Sequence, residues 1–201
     1  MITIVDYGIG NLGSIQNMFR RAGAKSVISG DPAVVADAEK ILLPGVGAFD
    51  NAMQRIDEVG LRTVLDRKAL VEKVPVLGIC LGMQLLTRSS EEGCLPGLGW
   101  IAAFTRRFPA LPGLKVPHMG WNVALPKTPS RLTAQVGDEP RYYFVHSYCV
   151  HVDDPAHSLM KTLYGIDFDS AIGHGNIYGV QFHPEKSHRF GMQILKNFAE
   201  L

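Results

Sequence analysis

Cysteine is scarce in this chain, with only Cys80, Cys94 and Cys149 among 201 residues. An odd, dispersed set without Cys-x-x-Cys spacing makes a poor disulfide framework and a poor zinc site. Charge is sparse as well, at 19% of residues against about a quarter in ordinary soluble domains. Twenty basic and nineteen acidic residues leave a net charge of +1, so nothing in the charge balance favours nucleic acid or an anionic membrane as partner. A lightly charged surface instead suits a chain partly covered by another protein. No apolar run approaches the roughly 20 residues of a membrane-spanning helix. The start, Met1-Ile2-Thr3-Ile4-Val5-Asp6, lacks the basic beginning and long apolar core of a secretory leader. A reducing cytoplasm is the predicted setting. With no internal repeat, low-complexity tract or linker, residues 1–201 read as a single domain with a sizeable core.

What is present is a cysteine framed by glycines. In Val76-Leu77-Gly78-Ile79-Cys80-Leu81-Gly82-Met83-Gln84 an apolar run ends at Cys80, and a helix-compatible segment follows. This is the thiol version of Gly-x-Ser-x-Gly, where a nucleophile sits on a sharp strand-to-helix turn. Glycine tolerates the cramped turn, and a helix N-terminus favours the thiolate, which is the reactive form. A buried structural cysteine gives the same local pattern, so a catalytic reading needs a base from elsewhere.

Tyr178-Gly179-Val180-Gln181-Phe182-His183-Pro184-Glu185-Lys186-Ser187 supplies one. If this segment stays extended, residues two apart share a face and Glu185 meets the imidazole of His183, while Pro184 stiffens the backbone between them. A carboxylate beside an imidazole fixes its tautomer and stabilises imidazolium, the third role in a Cys-His-acid triad. Alone, His-Pro-Glu reads equally well as a surface turn. Together with Cys80 it predicts the triad Cys80, His183 and Glu185. A third segment, Leu42-Leu43-Pro44-Gly45-Val46-Gly47-Ala48-Phe49, is another apolar run that meets glycines before a helical stretch. Its backbone N–H groups, with that of Leu81, are candidates for an oxyanion hole, although an ordinary strand-to-helix turn looks the same.

Periodicity organises the rest. Strand-like runs at Ile2–Asp6, Lys25–Ser29, Lys40–Leu43 and Val74–Ile79 alternate with helical patterns at Leu12–Ala22, Pro32–Glu39, Phe49–Val59 and Leu61–Lys73. That rhythm predicts an α/β fold with a mostly parallel central sheet flanked by helices. Ligands in such sheets bind at the carboxyl ends of strands, where Val46 and Cys80 fall. From about Leu98 to Gln181, short β-rich runs broken by Gly and Pro predict an additional antiparallel portion in the C-terminal half. His188 to Leu201 closes as an amphipathic helix with Phe190, Ile194, Leu195 and Phe198 on one face.

One motif points elsewhere. Gly8-Ile9-Gly10-Asn11-Leu12-Gly13 is a literal Gly-x-Gly-x-x-Gly between a strand and a helix, with Asp31 near the spacing of a ribose-binding acid. A dinucleotide enzyme would leave the elbow and the His-Pro-Glu group unexplained, so no cofactor is assigned. His151, His157, His174 and His188 show no metal-ligand spacing, Trp100 reads as core, and Cys94 and Cys149 read as inert.

Read together, Asp6-Tyr7-Gly8-Ile9-Gly10-Asn11-Leu12, the Pro-Gly-Val-Gly-Ala-Phe segment, Gly-Ile-Cys-Leu-Gly-Met-Gln, Pro117-His118-Met119-Gly120-Trp121-Asn122, Tyr143-Phe144-Val145-His146-Ser147-Tyr148 and Phe-His-Pro-Glu-Lys-Ser resemble class I, triad-type glutamine amidotransferases nearly end to end. The His-Met-Gly-Trp-Asn and Tyr-Phe-Val-His-Ser-Tyr segments are similar to the glutaminase subunits of imidazole glycerol phosphate synthase in particular. Glu91 to Pro96 and His188 match less well and touch no motif residue. The resemblance implies hydrolysis of L-glutamine to glutamate and ammonia, with Val46, Gly47 and Leu81 at the oxyanion and Gln84, His146 and Ser147 holding the substrate. It implies no metal and no organic cofactor. It also implies a heterodimer with a (β/α)8-barrel cyclase subunit that consumes the ammonia, with Trp121, Asn122, Tyr143 and Lys186 at the interface or ammonia exit. The residues alone leave three rivals open: a cysteine peptidase or γ-glutamyl hydrolase, a catalytically silent binding subunit, and the dinucleotide enzyme.

Overall fold

The computed structural model describes residues 1–201. Its first half is built from β1 (Ile2–Val5), α1 (Leu12–Arg21), β2 (Ser26–Ser29), α2 (Pro32–Ala36), β3 (Lys40–Gly45), α3 (Phe49–Glu58), α4 (Arg62–Asp66), β4 (Val76–Cys80) and α5 (Leu81–Leu85). The second half adds β5 (Ser89–Ser90), β6 (Ala103–Arg107), β7 (His118–Val123), β8 (Leu125–Pro126), β9 (Arg141–His146), β10 (Tyr148–Val152), β11 (Ser158–Tyr164), β12 (Ile166–His174), β13 (Ile177–Val180) and α6 (His188–Ala199).

The main sheet runs β2-β1-β3-β4-β13-β12-β10-β6-β5, with β11 and β8 branching from β12. From β2 to β13 every pairing is parallel. From β13 through β12 and β10 to β6 the strands are antiparallel, with β11 added to β12 in the same sense. This is the predicted α/β arrangement. A separate antiparallel ribbon, β7 with β9, stands beside it. No helix is long and apolar enough to cross a membrane.

Both faces of the parallel half are covered, as continuous apolar strands require. Ile2, Ile4, Leu42, Leu77 and Ile79 face one buried cluster, which takes in Phe19 of α1 and Phe198 of α6. Val5, Ile41, Leu43 and Val76 face the other, with α3 contributing Phe49, Met53 and Ile56. The rings of Phe19 and Phe198 lie 6.4 Å apart, and burying each side chain contributes about 1.5–3 kcal/mol. That docking holds α6, and the segment just before it, against the sheet.

Two expectations change in detail, and one rival motif finds another role. The helical pattern over Leu61–Lys73 divides into α4 and one wider π-type turn at Arg67–Val71, which apolar periodicity does not separate from α. His-Pro-Glu is not extended: Pro184–Lys186 forms one 3-10 turn, closed by the Lys186 N–H and the Ser187 hydroxyl, which both donate to the His183 carbonyl (3.1 and 2.6 Å). Asp31, the would-be ribose ligand, caps α2 by accepting from the Ala33 N–H at 2.8 Å.

Candidate active site

Parallel register aligns Gly45 at the end of β3 with Cys80 at the end of β4, and Val180 at the end of β13 with Ile79. The glycine-rich loop, the cysteine and the chain leading to His183 therefore emerge side by side at the carboxyl edge. Cys80 has φ +55° and ψ −111°, a backbone that side-chain-bearing residues seldom adopt and that costs on the order of 1–3 kcal/mol. Its glycines explain how the turn is held. A Cβ on Gly78 would lie 2.5 Å from the Gly82 carbonyl oxygen, and one on Gly82 would lie 1.9 Å from that of Leu43. Only bare backbone lets α5 sit this close to β3 and β4.

His183 Nδ1 is 2.8 Å from Glu185 Oε1 and both side chains are buried. An acceptor at Nδ1 places the proton there, so Nε2 is the atom left for chemistry. Nε2 is buried without a hydrogen-bond partner. Burial alone would lower the His183 pKa, but negative charge on the Cys80 sulfur and on the Glu185 carboxylate, each within hydrogen-bonding reach, outweighs it and raises the value to about 10. Ser187, which sequence reasoning missed, ties the segment down: its hydroxyl accepts from the Tyr143 N–H (3.0 Å) and donates to the His183 carbonyl, while the His183 N–H donates to the Tyr143 carbonyl (2.9 Å). A serine four residues after a histidine carries no sequence signal for this.

Cys80 and His183 open on one cleft of about 340 Å³. Val46, Gly47, Leu81, Gln84, His146 and Ser147, all anticipated from sequence, line the same cleft. Glu185 is not in the lining; it stands behind His183. Glu92 also lines the cleft, although it falls in the stretch that matched the resemblance least. Its Oε2 accepts from the Phe49 N–H at 3.0 Å, which leaves the other oxygen for a ligand. Gln181 is a second unanticipated neighbour, with its Nε2 donating to Cys80 Sγ at 3.7 Å.

A buried chain of hydrogen bonds runs behind the cleft. Gln84 Nε2 donates to Gln181 Oε1 (3.0 Å) and to the Tyr148 carbonyl (3.2 Å). That carbonyl also accepts from His146 Nδ1 at 2.6 Å. His146 Nε2 must then accept, so His118 Nδ1, 3.0 Å away, is the donor. His118 Nε2 in turn accepts from Asn122 Nδ2 at 3.2 Å. Burial lowers the His118 pKa to about 4. Burial also lowers that of His146 to about 3, reinforced by the charges of His118 and His183 and opposed by the bond to Tyr148. Both imidazoles are neutral near pH 7.

Three of the four expected interface residues form one surface cluster. Trp121 is 46% exposed, stacks on His188 at 5.3 Å and meets the Tyr143 ring edge-on at 6.2 Å. Lys186 Nζ lies 5.6 Å from the Tyr143 ring centre. Asn122 lies apart from this cluster. Strand alternation turns it to the opposite face of β7, where it bonds His118 and donates to the Leu163 carbonyl at 3.0 Å. The remaining cysteines lie elsewhere: Cys94 is exposed, and burial pushes the Cys149 thiol up to about 12, helped by Asp169 and Glu91.

A strained cysteine elbow, a carboxylate-oriented imidazole and a glycine loop at one strand edge define a thiol amidotransferase architecture. The chain belongs to the glutamine amidotransferase class-I family, whose model matches residues 3–201. Among its relatives, the imidazole glycerol phosphate synthase subunit HisH 2 of Methanococcus maripaludis is 50% identical over 200 residues, covering 100% of this chain and 99% of that protein. The HisH subunit of Bdellovibrio bacteriovorus is 48% identical over 204 residues, covering 100% of both. A putative GMP synthase subunit from Thermoplasma acidophilum shares the fold, with a TM-score of 0.74 at 20% identity over 99% of this chain and 92% of its own.

Proposed function

We propose that this chain, as one catalytic domain over residues 1–201, is the glutaminase subunit of imidazole glycerol phosphate synthase. It hydrolyses L-glutamine to glutamate and ammonia for histidine biosynthesis in the cytoplasm. The observation that carries the reading is the Cys80 elbow facing the same cleft as a His183 whose Nδ1 is committed to Glu185. The end-to-end likeness to HisH subunits supports the choice of pathway.

In this mechanism the Cys80 thiolate attacks the carboxamide carbon of glutamine. Backbone N–H groups of Val46, Gly47 and Leu81 receive the oxyanion. His183, protonated at Nε2, gives its proton to the leaving nitrogen, ammonia departs, and a γ-glutamyl thioester remains. His183 then takes a proton from water, hydroxide adds to the thioester, and glutamate leaves as the thiolate is restored. Glu185 holds the ring and offsets the imidazolium charge. Gln84, with both amide protons already used, presents its carbonyl oxygen to the substrate, and the backbone at His146 and Ser147 borders it. Glu92 is the carboxylate placed to receive the α-ammonium group. Ammonia must reach its acceptor before bulk water protonates it, so the surface cluster of Trp121, Tyr143 and Lys186 is assigned to the contact with a (β/α)8-barrel cyclase subunit.

Glutamate release from L-glutamine, for the chain alone and with the cyclase partner plus its nucleotide substrate, tests the reading, with Cys80→Ala beside it. Release that rises with the partner and vanishes in the variant is expected. Release of amines from peptides or folates, with none of ammonia from glutamine, would assign the site to a peptidase or γ-glutamyl hydrolase instead. A wild-type complex without turnover whose Cys80 resists iodoacetamide would make it a silent subunit.

A further inference from the structure

The glycine-rich turn after β1 has no part in the mechanism so far, yet it packs on the foot of the oxyanion loop. The rungs between β1 and β3 end at Ile4 with Leu42. Two residues further along β3, Pro44 has no N–H to place and a carbonyl with no β1 strand beside it. The Tyr7 hydroxyl fills that gap by donating to the Pro44 carbonyl from a buried position. Gly10, with φ +117°, lets the turn curl over the same proline: a Cβ there would lie 3.4 Å from Pro44 Cβ. On the other side, a Cβ on Gly45 would lie 3.0 Å from the Tyr7 hydroxyl, 2.8 Å from the Gly82 nitrogen and 2.9 Å from Leu81 Cβ. The phenol therefore sits where the oxyanion loop, its anchoring strand and the cysteine elbow converge.

We propose that Tyr7 is a positioning residue for the oxyanion hole. Its hydroxyl pins the Pro44 carbonyl and so fixes the backbone from which Val46 and Gly47 present their N–H groups toward Cys80. The proposal rests on the glutaminase reading and gives the Gly-x-Gly-x-x-Gly segment a purpose unrelated to nucleotides: Gly10, with its positive φ, lets the chain after Tyr7 close over Pro44. Burial, reinforced by the nearby Cys80 charge, pushes the phenol well above its ordinary range, so it remains a donor at any pH at which the enzyme works. Val46, by contrast, is 45% exposed, and its peptide has no comparable anchor. Tyr7 thus marks the fixed end of a loop whose far end is free to adjust to the substrate.

Tyr7→Phe removes the donor and keeps the ring. Deleting an oxyanion donor outright costs on the order of 10²–10³ in kcat, so displacing the loop that carries the donors is expected to cost roughly 10- to 100-fold. That loss should appear in kcat for glutamine hydrolysis by the complex with the cyclase partner, with KM unchanged. Iodoacetamide alkylation of Cys80 needs the thiolate but no oxyanion hole, and its rate should stay at the wild-type value. A chain with 4-aminophenylalanine at position 7 keeps an N–H donor there and should recover most of the rate. If Tyr7→Phe does not fold, 4-fluorophenylalanine fills the volume without a donor and must show the same selective loss. An unchanged kcat, or kcat and alkylation falling together, would overturn the proposal. Absence of glutamate from the wild-type complex would strike at the functional reading instead.

Discussion

Lowering the pH from about 7.5 to about 5 protonates free imidazoles but finds no place for the proton at His118 and His146. Each ring nitrogen in the pair is already committed: Asn122 to His118, His118 to His146, His146 to the Tyr148 carbonyl. An added proton on His146 Nε2 would reverse the His118 tautomer and aim its Nε2–H at the Asn122 amide protons. Asn122 cannot turn over to accept it, because its Oδ1 takes the Val123 N–H and its Nδ2 serves the Leu163 carbonyl. The folded His146 pKa of about 3 lies below the ordinary value of 6.5. The unfolded chain therefore binds the proton and the native state does not. The stabilisation is complete above 6.5 and is lost as pH falls toward 3. At about pH 5, some 1.5 units below the unfolded value, the loss from His146 is about 2 kcal/mol, and His118 adds in the same direction.

His183 works oppositely. With its pKa raised to about 10, its contribution is full below 6.5 and disappears as pH rises through 10, so it masks part of the acid loss. The measurement therefore compares unfolding of the wild type and His146→Gln at both pH values. Glutamine can donate to Tyr148 and accept from His118 but does not titrate. The wild type should lose about 2 kcal/mol more than the variant, or roughly 4–8 °C in Tm for a domain of this size. Nitrogen NMR should show both rings neutral at the lower pH, with the His146 proton on Nδ1. Equal losses in the two proteins, or a protonated pair in the folded state, would refute the reasoning.

Other outcomes follow from the triad and the surface. Glu185→Gln removes the anion behind His183, so the His183 pKa should fall from about 10 and kcat should drop on the order of 10²–10⁴; ring titration by NMR and turnover check both. Ser187→Ala leaves the Tyr143 N–H without its acceptor and loosens the His183 backbone. It should cost about 1–3 kcal/mol in stability, read by denaturant unfolding, and lower kcat more than it raises KM. Trp121→Ala, in the exposed cluster, should impair stimulation by the cyclase partner more than partner-free hydrolysis. The reverse ranking in a glutamate assay would remove Trp121 from the interface.

The parallel half was legible because its strands are buried on both faces and read as unbroken apolar runs ending in glycine, as at Val76–Cys80. Local chemistry also marked the elbow: a Cβ on Gly78 or Gly82 would lie 2.5 or 1.9 Å from a main-chain oxygen, so both glycines stand in the sequence as a fixed spacing. Glu92 and Gln181 were invisible for the opposite reason. Each reaches the site through a long-range fold contact, Glu92 from a stretch anchored on Phe49 and Gln181 across 101 positions to Cys80, and neither carries a local pattern. The motif could not separate Asn122 from Trp121, because it names residues without their direction. Alternation along β7 sends Trp121 outward and Asn122 in.

The ribbon of β7 and β9 joins what the motifs kept apart. Tyr143 shows its ring to the surface between Trp121 and Lys186, while its backbone N–H and C=O hold Ser187 and His183. His146, three residues on, faces inward and orients Gln84 through the shared Tyr148 carbonyl. A side chain can turn without moving its strand, but a strand cannot move without carrying the groups its backbone bonds. A shift of β9 under the Trp121 cluster would therefore be carried to His183 through two hydrogen bonds, whereas Cys80 is framed by Gly78 and Gly82, which pack against β3 and α5 with no room for a Cβ. On the proposed reading, His183 rather than Cys80 is the group that would answer to the surface.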